Sequence, residues 1–260
     1  MSETRPRTFS RTALARLAVT TEAADASDRY RALAADGDHS PYGQPGELVD
    51  YAWRLAEQAR AILQAAVVTE RLAGTSWETI GENLGEISKQ AAHERYGAAE
   101  TVFRRAALMA WLVPGRADDQ LGELADADAA LARLTRWLQA PHQPPAAGAD
   151  PGTRPASAVS EPLPPGYPEM SDTERAGLII EAANLLTGVG TYKRAGVTEH
   201  ERRDVELGLA RRKVELYEAI AADRPDDTEH ADLLAGARAR LATLEGDELA
   251  ARRSTRKDQS

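Results

Sequence analysis

Nine of the fourteen prolines in this chain fall between residues 140 and 168, with alanine, glycine and serine between them. Proline fixes φ and removes a backbone donor, so such a run can neither continue a helix nor sit inside a sheet. Its composition also offers little to bury. The stretch therefore reads as a partly extended linker. It divides the 260 residues into two parts and calls for a separate core in each.

Both parts carry a helical pattern. Alanine, leucine, glutamate and arginine dominate, and all four favour helix. Strand-like alternation is nearly absent, so the expected fold is all-α. Aromatic residues make up only 5% of the chain, which predicts a light core of Leu, Ala, Val and Ile. The absence of cysteine excludes disulfides and thiolate metal sites. No apolar run approaches the roughly 18–20 residues that span a bilayer. The first residues lack the apolar stretch of a signal peptide. A cytoplasmic protein with no membrane contact is the expectation. The net charge of -9 argues against a protein that coats nucleic acid nonspecifically. It leaves room for a local reading face, because a sum hides patches.

Five segments follow. Residues 1–46 read as a flexible basic arm and loop: within the first twenty positions Arg5, Arg7, Arg11 and Arg16 face only Glu3, and a short helix near Arg11 to Thr20 fits the pattern. Residues 47–139 form the first helical domain. Leu48, Ala52, Leu55, Ala59, Ile62 and Ala66 recur at three- and four-residue steps, the mark of one buried helix face. Thr75 with Glu78 has capping-box spacing. A helix from about Asp118 to Leu138 carries Leu121, Leu124, Leu131, Leu134 and Leu138. After the linker at 140–168, residues 169–250 predict a three-helix bundle. Ser171 and Thr198 serve as caps, and Ala176, Ile179, Ile180, Ala183 and Leu186 form the first inward stripe. Residues 251–260 read as a disordered tail.

Residues 76–97, SWETIGENLGEISKQAAHERYG, carry the chemistry. A helix-turn-helix needs a small residue at the close crossing, apolar residues at the mutual contact and a turn residue that tolerates a left-handed backbone. Gly81 meets the first need, Ile80, Leu84, Ile87 and Ala92 the second, and Gly85 the third. Ser88 stands as the N-cap of the second helix. Its first residues are polar, as a helix entering the major groove requires. Lys89 can donate to guanine or phosphate, and Gln90 can pair bidentately with adenine. Ser88 suits a phosphate oxygen at the helix start. His93 follows one turn later on the same side and is expected to read bases with Lys89 and Gln90, and Arg95 is within reach of backbone phosphate.

The pattern Gly-x-Ser-Trp-x-x-Ile-Gly-x-x-Leu-Gly, followed by Ser-Lys-Gln-Ala-Ala-x-x-Arg-Tyr-Gly, resembles a helix-turn-helix of actinobacterial DNA-binding proteins. It is similar in style to the promoter-reading helix-turn-helix of sigma factors. The resemblance covers about Ala65 to Gly97. It implies sequence-specific binding of double-stranded DNA through the helix that begins at Ser88. One feature departs from the tightest form: Gly85, Glu86 and Ile87 separate Leu84 from Ser88, one residue more than usual. Glu86 is the expected insertion, with Ile87 restored to the core.

The rest of the chain is quieter. The five histidines are scattered, without metal-ligand spacing. GVGTYK at Gly188 lacks a preceding strand and reads as a turn. The basic stripe of Arg202, Arg203, Arg211, Arg212 and Lys213 is neutralised by neighbouring acids. No cofactor, metal or catalytic constellation emerges, and the chain does not read as an enzyme. A site-specific transcriptional regulator, binding DNA as a homodimer through the Asp118–Leu138 helix or the C-terminal bundle, is the leading expectation. The alternative is a scaffold whose C-terminal bundle holds a protein partner and whose helix-turn-helix is structural. The net charge of -1 between Glu70 and Leu112, from five basic and six acidic residues, keeps that alternative open.

Overall fold

A computed structural model describes residues 8–35, 44–114, 121–140, 167, 169–188, 198–224 and 226–258. Eight α-helices follow one another among the described residues, with no strand. They are α1 (Arg11–Ala35), α2 (Glu47–Leu72), α3 (Trp77–Asn83), α4 (Lys89–Leu112), α5 (Ala127–Gln139), α6 (Asp172–Thr187), α7 (Glu199–Asp223) and α8 (Thr228–Asp258). The fold is all-α, as the composition predicts. None of the described helices is long and apolar enough to cross a membrane. The prolines between 141 and 166, the loop at 36–43, the turn at 189–197 and the arginines Arg5 and Arg7 lie outside the described residues.

The chain divides into two compact units. One comprises Met1–Phe103 and Leu121–Glu169, the other Arg104–Gln120 and Met170–Ser260. One division falls at Glu169–Met170, at the end of the linker expected over 140–168, and another falls within α4. The long helix α4 starts in the first unit and ends in the second. Gly97 does not break it. The physical reason lies in its apolar positions: Leu108, Met109, Trp111 and Leu112 are buried with Leu178, Ala182, Leu185, Val205 and Leu209. The second unit is therefore more than the three-helix bundle expected.

In the first unit, α1 runs antiparallel to α2. The Thr12 hydroxyl donates to the Leu72 carbonyl near one end, and the Tyr51 hydroxyl donates to the Arg29 carbonyl, at 2.6 Å, near the other. The flexible arm expected over residues 1–46 is thus largely a 25-residue helix that includes Arg11 and Arg16. Its buried face escaped the sequence pattern because it is built mainly from Ala13, Ala15, Ala24 and Ala26 around Leu17. Small residues let helices approach closely but give weak hydropathy contrast. Thr20 and Thr21 bond back to carbonyls one turn earlier, which satisfies their hydroxyls inside the helix.

Helix α5 packs its Ala130 and Leu134 against Leu17 and Ala24 of α1. It is shorter than the helix expected from Asp118. Residues Gly122–Asp126 form a 3-10 turn instead, and the Asp126 carboxylate accepts from the Ala129 N–H at 2.9 Å to start α5 afresh. On α2, Leu55, Gln58, Val67 and Val68 are buried. Leu48 from the expected stripe is exposed, together with Val49 and Trp53. The buried Gln58 is satisfied by Arg29 and by the Glu22 carbonyl.

In the second unit, Ser171 caps α6, and a reciprocal capping box of Thr198 and Glu201 starts α7. The inward residues of α6 are Leu178, Ala182 and Leu185, so the expected stripe is rotated by about one position and Ile180 faces out. Helices α7 and α8 are antiparallel, tied by Arg211–Glu245 at 3.1 Å and Glu218–Arg238 at 2.8 Å. Helix α8 continues through Asp258, where a disordered tail was expected. The Asp227 carboxylate caps its start. The backbone N–H and then the side chain of His230 hold that carboxyl below its ordinary range.

Candidate nucleic-acid interface

Helix α2 ends at Gly74, whose φ of +98° is a left-handed conformation open to glycine. The cap of α3 is Ser76, which accepts from the Thr79 N–H at 3.1 Å. The expected cap, Thr75, instead donates its hydroxyl to Glu70 at 2.6 Å. A one-residue shift brings Trp77 to the first position of α3, where it is buried.

Trp77, Ile80, Ala92, Tyr96 and Val67 form a small core, with Leu84 and Ile87 packed against it. The guanidinium of Arg71 lies over the Trp77 ring, 4.8 Å from its centre. It also pairs with Glu100 at 3.3 Å and donates to the Thr75 carbonyl. Arg71 thus ties α2 to α4 and braces the floor of α3.

Gly85 has φ +90° and Glu86 has φ +62°, two left-handed residues in succession. The chain is brought back so that the Ile87 N–H donates to the Gly81 carbonyl at 3.1 Å. The Ile87 carbonyl oxygen then occupies the space where a Gly81 side chain would stand. Glu86 is exposed, while Ile87 is partly buried against the core.

Ser88 caps α4, accepting from the Ala91 N–H at 3.1 Å. Its hydroxyl proton remains available as a donor. Lys89, Gln90, His93 and Arg95 are all exposed, so the structure keeps the predicted residues on the surface. They are not equivalent. At 3.6 residues per turn, Gln90 lies on the side of α4 opposite the buried Ala92 and Tyr96. Lys89 and Arg95 lie about 100° and about 140° round the helix axis from it, and make no hydrogen bond or ion pair among the described residues. His93 is engaged elsewhere. Its ring meets Trp77 edge to face at 5.3 Å and lies against Gly97, where a β-carbon would come within 3.0 Å of it.

One residue on this face was missed. Glu94 lies one turn beyond Gln90 and accepts from its side-chain amide at 2.9 Å. The i,i+4 spacing of a glutamine and a glutamate carried that signal. In the sequence Glu94 is only one of the six acids counted between Glu70 and Leu112. Glu78, Glu82 and Glu86 are exposed nearby as well. Comparison of the chain with family models, with curated proteins and with solved structures finds no match in any of the three.

Proposed function

We propose that this protein binds double-stranded DNA at specific sequences as a transcriptional regulator, with the N-terminal turn of α4 in the major groove. One observation carries this: α3, the turn and α4 close on a small core shared with Val67 of α2, yet Lys89 and Gln90 stay exposed at the first turn of α4. A purely structural corner has no need of a capped helix start bearing a cation unpaired among the described residues beside an amide. In this arrangement Gln90 and Lys89 read base edges. The Ser88 hydroxyl donates to a phosphate oxygen, Arg95 reaches the backbone, and His93 steadies the helix against Trp77.

A single helix of this kind covers a few base pairs, so two copies on a two-part site are expected. On α5, Ala130 and Leu134 pack against α1, while Leu138 stays exposed. The contact between copies falls to this helix or to the C-terminal unit.

Binding-site selection from a random duplex pool, followed by gel shifts across salt concentrations, tests the function. Wild type should return a consensus. Replacing Lys89 and Gln90 with alanine should cost about 1–3 kcal/mol per good base contact. Loss of Lys89 should also flatten the salt slope by about one charge if that lysine meets a phosphate. Random sequence from the wild-type selection would exclude it. The exposed glutamates around the motif favour a second reading, a scaffold with a protein partner. Salt-insensitive, sequence-blind behaviour toward DNA would point there.

A further inference from the structure

The hydrogen bond between Gln90 and Glu94 restricts what the glutamine can read. A carboxylate only accepts, so the atom of Gln90 that faces Glu94 must be its amide nitrogen. The orientation of that amide, which chemistry alone leaves ambiguous in a free glutamine, is thereby set. An unengaged glutamine offers two N–H groups and one carbonyl oxygen. Here one N–H is committed to Glu94. The remaining edge is one donor and one acceptor.

That edge matches one purine. Adenine shows an acceptor at N7 and a donor at N6 in the major groove, whereas guanine shows acceptors at both N7 and O6. The remaining N–H and the carbonyl of Gln90 satisfy both groups of adenine. Guanine would face the carbonyl oxygen with its own O6, or require the N–H that Glu94 holds. Both side chains are exposed and lie on the side of α4 opposite Ala92 and Tyr96, so nothing in the core competes for them.

On the footing of the DNA-binding function above, we propose that Glu94 is a positioning residue that makes Gln90 selective for adenine over guanine. Glu94 touches no base. It acts through the amide of Gln90, and its negative charge weakens overall affinity for the phosphate backbone while sharpening the choice at one base pair.

The test uses the full-length protein and duplexes taken from the wild-type selection. Gel-shift affinities are measured for wild type, Gln90→Ala, Glu94→Ala and Glu94→Gln, each checked for an unchanged melting curve. Wild type should prefer adenine at one position by about tenfold over guanine, and Gln90→Ala should abolish that preference. Glu94→Ala should bind more tightly overall and fall to about twofold discrimination at the same position. Glu94→Gln retains an acceptor without the charge, so it should bind more tightly and keep the preference. Undiminished discrimination in Glu94→Ala would overturn the proposal. So would a Glu94→Ala defect confined to a neighbouring cytosine, which would make Glu94 itself the reader. A consensus that Gln90→Ala leaves intact would overturn it too, with DNA reading still standing. A wild type without any consensus would remove both.

Discussion

The backbone carbonyl of Ile87 lies in the space that a side chain on Gly81 would fill. The same carbonyl's residue donates its N–H to the Gly81 carbonyl, so the turn is fastened to α3 at one residue from two directions. The obstacle is backbone, which cannot rotate aside as a side-chain tip can.

Gly81→Ala should therefore destabilise the first unit by about 1–3 kcal/mol, the range for forcing an extra carbon into a packed site. Gly236 in α8 is the control, because nothing lies within 4 Å of a β-carbon there. Gly236→Ala should stabilise by about 0.5–1 kcal/mol through helix propensity. Chemical denaturation of the two variants checks the opposite signs. Equal effects would sink the account of the turn.

Glu86 adopts a left-handed conformation that costs an L-residue about 1–2 kcal/mol. Glycine removes that cost and adds some unfolded-state entropy, so Glu86→Gly should gain a net of about 0.5–1 kcal/mol. It should also strengthen DNA binding by removing one exposed acid from the motif. A melting temperature lower than wild type would contradict the backbone assignment.

His93 should behave as a brace. An edge-to-face ring pair contributes about 0.5–1.5 kcal/mol, so His93→Ala should lower stability within that range. The selected DNA consensus should stay the same, in contrast to Gln90→Ala. A consensus altered at one position, with unchanged stability, would return His93 to the base-reading set.

Arg212 should matter more than its position in a charge-rich helix implies. Its guanidinium lies 5.2 Å from the centre of the Trp111 ring, donates through Nε to the Trp111 carbonyl at 2.8 Å, and pairs with Glu215 at 2.7 Å. It satisfies a carbonyl in the last turn of α4, where the helix dipole also favours a cation. Arg212→Ala should cost about 2–3 kcal/mol, because hydrogen bonds to charged groups are the stronger kind. Arg212→Lys should recover less than half, since an ammonium lacks the planar fork. Urea denaturation of both variants measures the difference.

The neighbouring Gly208 shows why such contacts were hard to foresee. A β-carbon there would collide with the Leu112 carbonyl. In the sequence, Gly208 is a helix-weakening residue without evident purpose, and Arg212 is one cation of a neutralised stripe. Only the approach of α7 to the end of α4 gives either a role.

The sequence by itself determined the helical character of the chain, the caps at Ser88, Ser171 and Thr198, and the composition of the α3–α4 turn. These are local matters of propensity, hydrogen-bonding reach and backbone freedom, and a few adjacent residues decide them. The tertiary structure decided the rest. It made a helix of Arg11–Ala35 with one buried face, whose alanine lining becomes meaningful only when α2 and α5 lie against it. It passed α4 from one unit to the other, because burial of Leu108 and Leu112 depends on partners more than sixty residues away. It turned His93 back onto Trp77 and joined Gln90 to Glu94. Periodicity reports which residues share a face; what that face meets depends on contacts distant in the chain.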